Sequence, residues 1–377
     1  MTADRHALSA ALSHSRVRTV FAPGALGQVG ELARELSAKR ALLVTDRGIV
    51  AAGHVERALT FLRRADIEVT VFDGVEENPT TAHVARGVDA ARSANVDLLI
   101  GLGGGSSMDC AKGINFILTN GGTMADYWGV NKATKSMLPL IAIPTTAGTG
   151  SEAQSFALIC DAATHQKMAC GDEKALPKAA ILDPDLTATQ PRPVAAATGI
   201  DAVSHAVETA ATTRRSDISL ALTREAWARL EPSFERAMAN PLDDQAREGM
   251  LLGAHLAGAA IEKSMLGAAH ACANPLTRRF GIVHGVAIGV LLPHVVRFNS
   301  SNGPNPYAAL DSDPQRLARR IETMLDAAQL PRRLRDCNVD RAALDDLAEE
   351  AAAQWTAKFN PLPVAAPELR AIYENAY

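Results

Sequence analysis

Four side chains in the second half of the chain have the types and spacing to bind a divalent cation. Residues 199–208 read GIDAVSHAVE, with Asp201 and His205 four positions apart. On a helix that spacing puts both on one face, one turn apart. Residues 267–285, GAAHACANPLTRRFGIVHG, add His270 and His284. One carboxylate oxygen and three imidazole nitrogens suit a borderline divalent ion such as Fe(II) or Zn(II), with room for a substrate oxygen. Such an ion is a Lewis acid that lowers the pKa of a bound alcohol. Taken singly, each residue reads equally well as a packed or solvated side chain. The i,i+4 spacing together with the glycines at 199, 267 and 285 sets them apart.

The other histidines carry no such pattern. His6, His14, His54, His83 and His165 read as surface or core residues, and His255 as helix packing. His294, in LLPHVV, reads either as structural or as a support for the metal ligands. The five cysteines, Cys110, Cys160, Cys170, Cys272 and Cys337, form no C-x-x-C pair. An odd count without that spacing argues against a disulfide framework and a zinc knuckle, and for a reducing cytosol. Cys272 follows His270 by two residues, which on a helix turns it away, so packing is the expected role.

Two loops in the first half could hold a nucleotide. Residues 101–109, GLGGGSSMD, follow a strand-like run and open a helix-like one. Glycines there let the backbone approach a pyrophosphate, and the helix start offers N–H groups and a positive dipole end. Ser106 stands where the dinucleotide fingerprint has its last glycine, so the match is partial and a plain strand-to-helix turn is the alternative. Ser106 and Ser107 could donate hydroxyls, and Asp109 closes the loop. Residues 144–152, PTTAGTGSE, form a second loop of glycines and hydroxyls. Asp46 ends the run ALLVTD, where a carboxylate can accept from ribose hydroxyls and repel a 2′-phosphate, favouring NAD; a helix N-cap is its other reading.

The elements around these residues divide the chain. At 377 residues two domains are the natural prior. Apolar runs at 41–45, 68–72, 97–100 and 138–143 alternate with helical spacing over 49–64, 81–94 and 107–118. That alternation means a parallel sheet covered on both faces. Beyond about 192 the texture is helical, over 196–213, 217–239, 243–273 and 314–328, with residues 183–193 as linker. The expected organisation is an α/β dinucleotide-binding domain over 1–187 and an all-α metal-binding domain over 188–377. A net charge of −4 gives no reason to expect nucleic acid or an anionic membrane as partner. No apolar run suggests a signal peptide or a membrane span, so a cytoplasmic protein is expected.

At these residues the sequence resembles the iron-containing (group III) alcohol dehydrogenase family. The resemblance runs from FAPGAL at 21–26 through ALLVTD, Asn78-Pro79-Thr80, GGGSSMD, PTTAGTGSE and both histidine segments to Asn360-Pro361. It implies a dehydroquinate synthase-like architecture, with a nucleotide-binding α/β domain, a helical domain and a cleft between them. It implies that Asp201, His205, His270 and His284 bind the metal. It places Asp46, Asn78, Gly104, Gly105, Ser106, Thr145, Thr146, Thr149 and Lys167 near the dinucleotide, and it implies a homodimer or larger homo-oligomer. The chain departs from the family at four positions. Asn274 stands where many members have a histidine thought to relay protons, and an amide cannot act as acid or base. Ile261 replaces a frequent pocket phenylalanine, Lys263 a frequent asparagine, and Phe156 sits where the residue is often polar.

The expected activity is hydride transfer between a small alcohol and NAD, or aldehyde reduction in reverse. The proton would leave through the ribose hydroxyl and water positioned by Asn274. Two other readings stand beside it. One is a polyol or anionic-substrate dehydrogenase or cyclase of the same architecture, with Lys263 pairing the substrate's charge. The other is a non-catalytic NAD- and metal-binding relative.

Overall fold

The computed structural model describes residues 12–377, so His6 lies outside the described residues. The described chain forms two compact units. One spans residues 15–146 and 150–190; the other contains Pro191–Tyr377 together with Ala147–Thr149.

The first unit is built on short apolar strands. In chain order these are β1 (Arg18–Phe21), β2 (Arg40–Val44), β3 (Glu68–Phe72), β4 (Leu98–Gly103), β5 (Gly129–Val130), β6 (Leu140–Pro144), β7 (Phe156–Cys160), β8 (Lys167–Gly171) and β9 (Ala179–Leu182). Six of them make a parallel sheet in the order β1-β9-β6-β4-β2-β3. Side chains alternate across it. Leu43, Ile100 and Ile141 pack with Leu26, Val29 and Leu62 on one face. Leu42, Val44 and Leu99 pack with Val84, Val88 and Ile114 on the other. Both faces are covered, so the strands read as unbroken apolar runs. The covering helices are α1 (Val29–Glu35), α2 (Arg47–Ala51), α3 (His54–Arg64), α4 (Thr81–Ser93) and α5 (Gly105–Asn120). The single helix expected over 49–64 is thus two, broken at Gly53. Strands β5, β8 and β7 form a separate three-stranded sheet that the sequence pattern does not announce.

The second unit is helical: α6 (Arg192–Ala211), α7 (Asp217–Ala239), α8 (Asp244–Lys263), α9 (Ala268–Phe280), α10 (His284–Asn299), α11 (Pro314–Ala328), α12 (Leu344–Ala352) and α13 (Ala366–Ala376). The continuous helix expected over 243–273 is broken between Lys263 and Ala268. That break starts a new helix two residues before His270. Gly285 lets α10 meet α6 at backbone contact, since an added Cβ would lie 1.9 Å from the Ala197 carbonyl oxygen. The contact fixes where His284, its neighbour, stands relative to α6.

The remaining histidines fall into structural positions. His54 Nε2 pairs with Thr189 Oγ1 at 2.8 Å. His83 Nδ1 accepts from the Thr80 N–H at 2.9 Å and forms a capping box. His255 is fully buried in α8. His294 on α10 has its pKa pulled down from 6.5 to about 4 by burial and then by Arg297, against the opposing pull of Glu322. The unfolded chain takes up this proton below about 6.5, the folded one only below about 4. The unfolded state therefore binds more protons in that window, and stability falls as pH drops through it. Denaturant unfolding at stepped pH should show this slope, and His294→Gln should flatten it; equal slopes would contradict the assignment.

Candidate functional site

Helix α6 carries Asp201 and His205 on one face, 5% and 4% exposed. The first turn of α9 supplies His270 and the first residue of α10 supplies His284. Asp201, His270 and His284 each offer a ligand atom within 4.8 Å of the others. His205 stands beside this trio. Its Nε2 is 3.4 Å from Asp201 Oδ1, and its ring stacks on His270 with centroids 5.0 Å apart. The His270 and His284 rings meet edge to face at 5.4 Å.

The donor atoms fit a cation. Asp201 Oδ1 and His270 Nε2 are buried, 3.6 Å apart, and neither has a hydrogen-bond partner. Orphaned buried polar atoms cost free energy and are rare unless something fills the gap between them. The set is one carboxylate oxygen and imidazole nitrogens, matching an Fe(II) or Zn(II) centre. Burial pushes the Asp201 carboxyl up, but His205, His270 and His284 outweigh it and hold it well below the usual carboxylate range. Burial lowers the His205 pKa, and His270 lowers it further, against Asp201. His270 is the reverse: burial lowers it, yet Glu208 and Asp201 raise it to about 9. Without a cation this ring holds a proton that metal binding displaces.

Glu208 was not among the expected site residues. It is 4% exposed, one turn beyond His205, and one of its oxygens takes the His270 Nδ1 contact. Asn274 lies one turn along α9 from His270, and its Nδ2 donates to Gln354 Oε1 at 3.0 Å. The amide expected to position water is thus held by the protein. Cys272 is fully buried, burial pushes its thiol far up, and its carbonyl accepts from the Tyr373 hydroxyl at 2.6 Å. It packs. Ile261 is buried near the end of α8, and Lys263 ends that helix half-buried.

In the α/β unit the glycine loop joins β4 to α5. Gly103 has φ 150°, and a Cβ there would meet Ser107 Oγ at 2.5 Å and Asp46 Oδ2 at 3.4 Å. Gly104 starts α5 with no side-chain cap, and Gly105 and Ser106 follow half-buried. Thr145 donates its N–H to the Gly103 carbonyl at 2.9 Å, and the Thr146 side chain lies 3.5 Å from the Cβ position of Gly104. The two hydroxyl- and glycine-rich loops are therefore adjacent. Thr45, Ser107 and Thr145, beyond the carboxyl ends of β2, β4 and β6, have buried hydroxyls with no partner. Ligands of open α/β sheets bind along that edge.

Asp46 caps α2, accepting from the Ile49 N–H at 3.0 Å, while its other oxygen faces Gly103. A cap and a ribose acceptor are compatible in this one carboxylate. Asn78 holds a left-handed backbone, φ 53°. Thr149 belongs to the helical unit. Lys167 opens β8, opposite Cys160. Phe156 packs its ring on Gly171 within the small sheet.

Asp109 is held by neighbours within the protein. It is 8% exposed, and Oδ1 accepts from Ser151 Oγ at 2.5 Å while Oδ2 accepts from the Leu158 N–H at 3.2 Å. Lys112 Nζ stands 3.6 Å away. Each oxygen has a partner within the protein, so Asp109 ties α5 to Ser151 and Leu158.

Comparison with known proteins agrees with this arrangement. The profile described as "Iron-containing alcohol dehydrogenase" matches residues 17–184, and "Fe-containing alcohol dehydrogenase family, C-terminal" matches 195–377. Alcohol dehydrogenase 4 of Schizosaccharomyces pombe is 35% identical over 367 residues, 95% of this chain and 87% of that protein. The crystal structure of a 1,3-propanediol oxidoreductase superposes with TM-score 0.91 at 34% identity, covering 96% of this chain and 98% of that one. A sulfoacetaldehyde reductase from Bifidobacterium kashiwanohense in complex with NAD+ superposes with TM-score 0.87 at 27% identity, covering 96% and 97%. The chain is an oxidoreductase and belongs to the iron-containing alcohol dehydrogenase family.

Proposed function

We propose that this enzyme is an NAD-dependent alcohol dehydrogenase, or aldehyde reductase in reverse, acting on small alcohols. Its cation would be held by Asp201, His205, His270 and His284, with Fe(II) ahead of Zn(II). The observation that carries the reading is the pair of partnerless buried donors, Asp201 Oδ1 and His270 Nε2, facing each other across 3.6 Å. When bound, the cation supplies Lewis acidity towards the substrate oxygen and the dinucleotide a hydride acceptor.

The chain's own residues set the conditions for that chemistry. Helix α6 and the first turns of α9 and α10 hold the donor side chains in one cluster, buried but for the half-buried His284. Glu208 orients the His270 ring. The uncapped start of α5 and the hydroxyls of Thr45, Ser107 and Thr145 suit a pyrophosphate and ribose. Gly104, Gly105, Ser106, Thr146, Asn78 and Lys167 extend this proposed nucleotide site within the α/β unit. Asp46 favours an unphosphorylated ribose. Asn274, with no usable pKa, neither takes nor gives the alcohol's proton. Within the helical unit, Ile261 and Lys263 are the proposed substrate-side residues; within the α/β unit, Phe156 is proposed for that role. Among the described residues no helix is long and apolar enough to cross a membrane, and all five cysteines are free, which fits a cytosolic enzyme.

The test is NADH formation on a panel of alcohols with Fe(II), Zn(II), Mn(II) or Co(II) added. Turnover that needs one of these ions is expected. Absence of turnover with every ion would overturn the proposal.

A further inference from the structure

The short break between α8 and α9 is held by one carboxylate whose two oxygens do different work. Glu208 Oε1 accepts from the backbone N–H groups of Gly267 and Ala269, at 3.1 and 2.8 Å. Oε2 meets His270 Nδ1. The backbone donors belong to the start of α9, where a helix cannot satisfy its own N–H groups, and a negative charge there is favoured by the helix dipole. The intervening N–H, of Ala268, goes instead to Asn360 Oδ1 at 3.3 Å. Asn360 is fixed in turn by Asn299, which accepts at 2.7 Å and also donates to the Tyr307 hydroxyl at 2.9 Å. Asn360 therefore caps the same helix end, and its side chain bonds to Ala268, Asn299 and Leu362.

We propose that Glu208 is a positioning residue that sets the tautomer of His270. Because backbone N–H groups can only donate, Oε1 is committed to them. Oε2 can then only accept from His270, which fixes the proton on Nδ1. Once a cation displaces the ring's second proton, the lone pair falls on Nε2, the atom that faces Asp201 Oδ1 across 3.6 Å. A carboxylate behind a ligand histidine orients the ring and makes its free nitrogen more basic. The inference rests on the metal reading above and adds to it a residue that never touches the ion.

Glu208→Gln tests it with almost no change in shape. The amide oxygen must face the two backbone donors, because the flipped amide would set its NH2 against both. The NH2 group then faces His270 Nδ1 and donates to it. The imidazole must accept there and carry its proton on Nε2, aimed at the metal position. Zn(II) affinity, measured on full-length metal-free protein by competition with a chromophoric chelator, should fall about 10- to 100-fold. Asn360→Ala loosens the same helix end and should leave affinity within a few-fold of wild type. Wild-type affinity in Glu208→Gln overturns the proposal, and so does an equal loss in both variants, which would mark a merely structural role. If the variant does not fold, 15N spectroscopy of the zinc-loaded wild-type protein decides: a His270 proton on Nδ1 supports the proposal and one on Nε2 overturns it. A wild-type chain that binds no zinc fails the metal reading itself, a different result from zinc bound by the wrong nitrogen.

Discussion

Replacing His270 by Ala should strip the chain of its cation while leaving NAD binding intact. His270 contributes the nitrogen that faces Asp201 Oδ1, and its ring packs against both other histidines. The substitution removes a donor from the middle of the cluster. What remains is Asp201 with two imidazoles whose shared neighbour is gone. Loss of the Lewis acid forfeits several kcal/mol of transition-state stabilisation, so kcat/KM should drop by roughly 10³-fold or more. The glycine loop and its neighbouring hydroxyls lie in the other unit, so NADH affinity, read by fluorescence, should stay within about twofold of wild type. Unchanged metal content in His270→Ala would refute the ligand assignment, and lost NADH affinity would show that the substitution had disturbed far more than the cluster.

The second large effect concerns stability. Lys112 is fully buried in α5. Its Nζ donates to the Ser151 carbonyl and Oγ, both at 2.7 Å, and to the Phe156 carbonyl at 2.9 Å, with Asp109 Oδ1 at 3.6 Å. A buried ammonium is tolerable only because these groups surround it. Lys112→Met keeps the length and removes the charge and every donor. Burial already pushes the Asp109 pKa up, and the Lys112 ammonium is the strongest influence holding it down, so the carboxyl loses its main support. Breaking one side of a buried pair costs about 3–5 kcal/mol. Urea unfolding should show that loss, and Lys112→Met combined with Asp109→Asn should cost less than the sum of the single changes. A loss below about 1 kcal/mol would mean the network is not carrying the 144–156 segment.

How much of the structure is readable in the sequence depends on the range of the interaction concerned. Strands β2, β4 and β6 stand out because strands buried on both faces need uninterrupted apolar runs, while the edge strand β3 shows instead as an alternating one. Strand β9 does not: at four residues and far from its partners in sequence, it is placed by the β1 and β6 edges it bridges. The histidines proposed as metal ligands are legible from spacing and glycines, which are local. The break before α9 is not, because apolar periodicity runs straight through Ser264, Met265 and Leu266. What starts the new helix is the Glu208 carboxylate on α6, some sixty residues upstream. Glu208 itself sits inside a segment that the histidine spacing singles out, yet nothing local distinguishes a capping carboxylate from a solvated one. Lys112 leaves a usable sign: with Asp109 it forms an i,i+3 acid–base pair inside an otherwise apolar stretch of α5. The same pair shows what the sequence leaves open at Asp109. Placed at the end of a phosphate-type loop, it invites a cofactor role, and only the packing of Ser151 and Leu158 against it shows where its oxygens go.

Everything proposed for the chemistry depends on whether one cation sits among Asp201, His205, His270 and His284. Anomalous diffraction at the metal's absorption edge, on crystals of the Fe(II)- or Zn(II)-loaded enzyme, measures this directly. A single peak is expected at about 2.0–2.2 Å from an Asp201 oxygen and from one nitrogen of each histidine. No peak there, or a peak bound by other side chains with these four turned away, would contradict it.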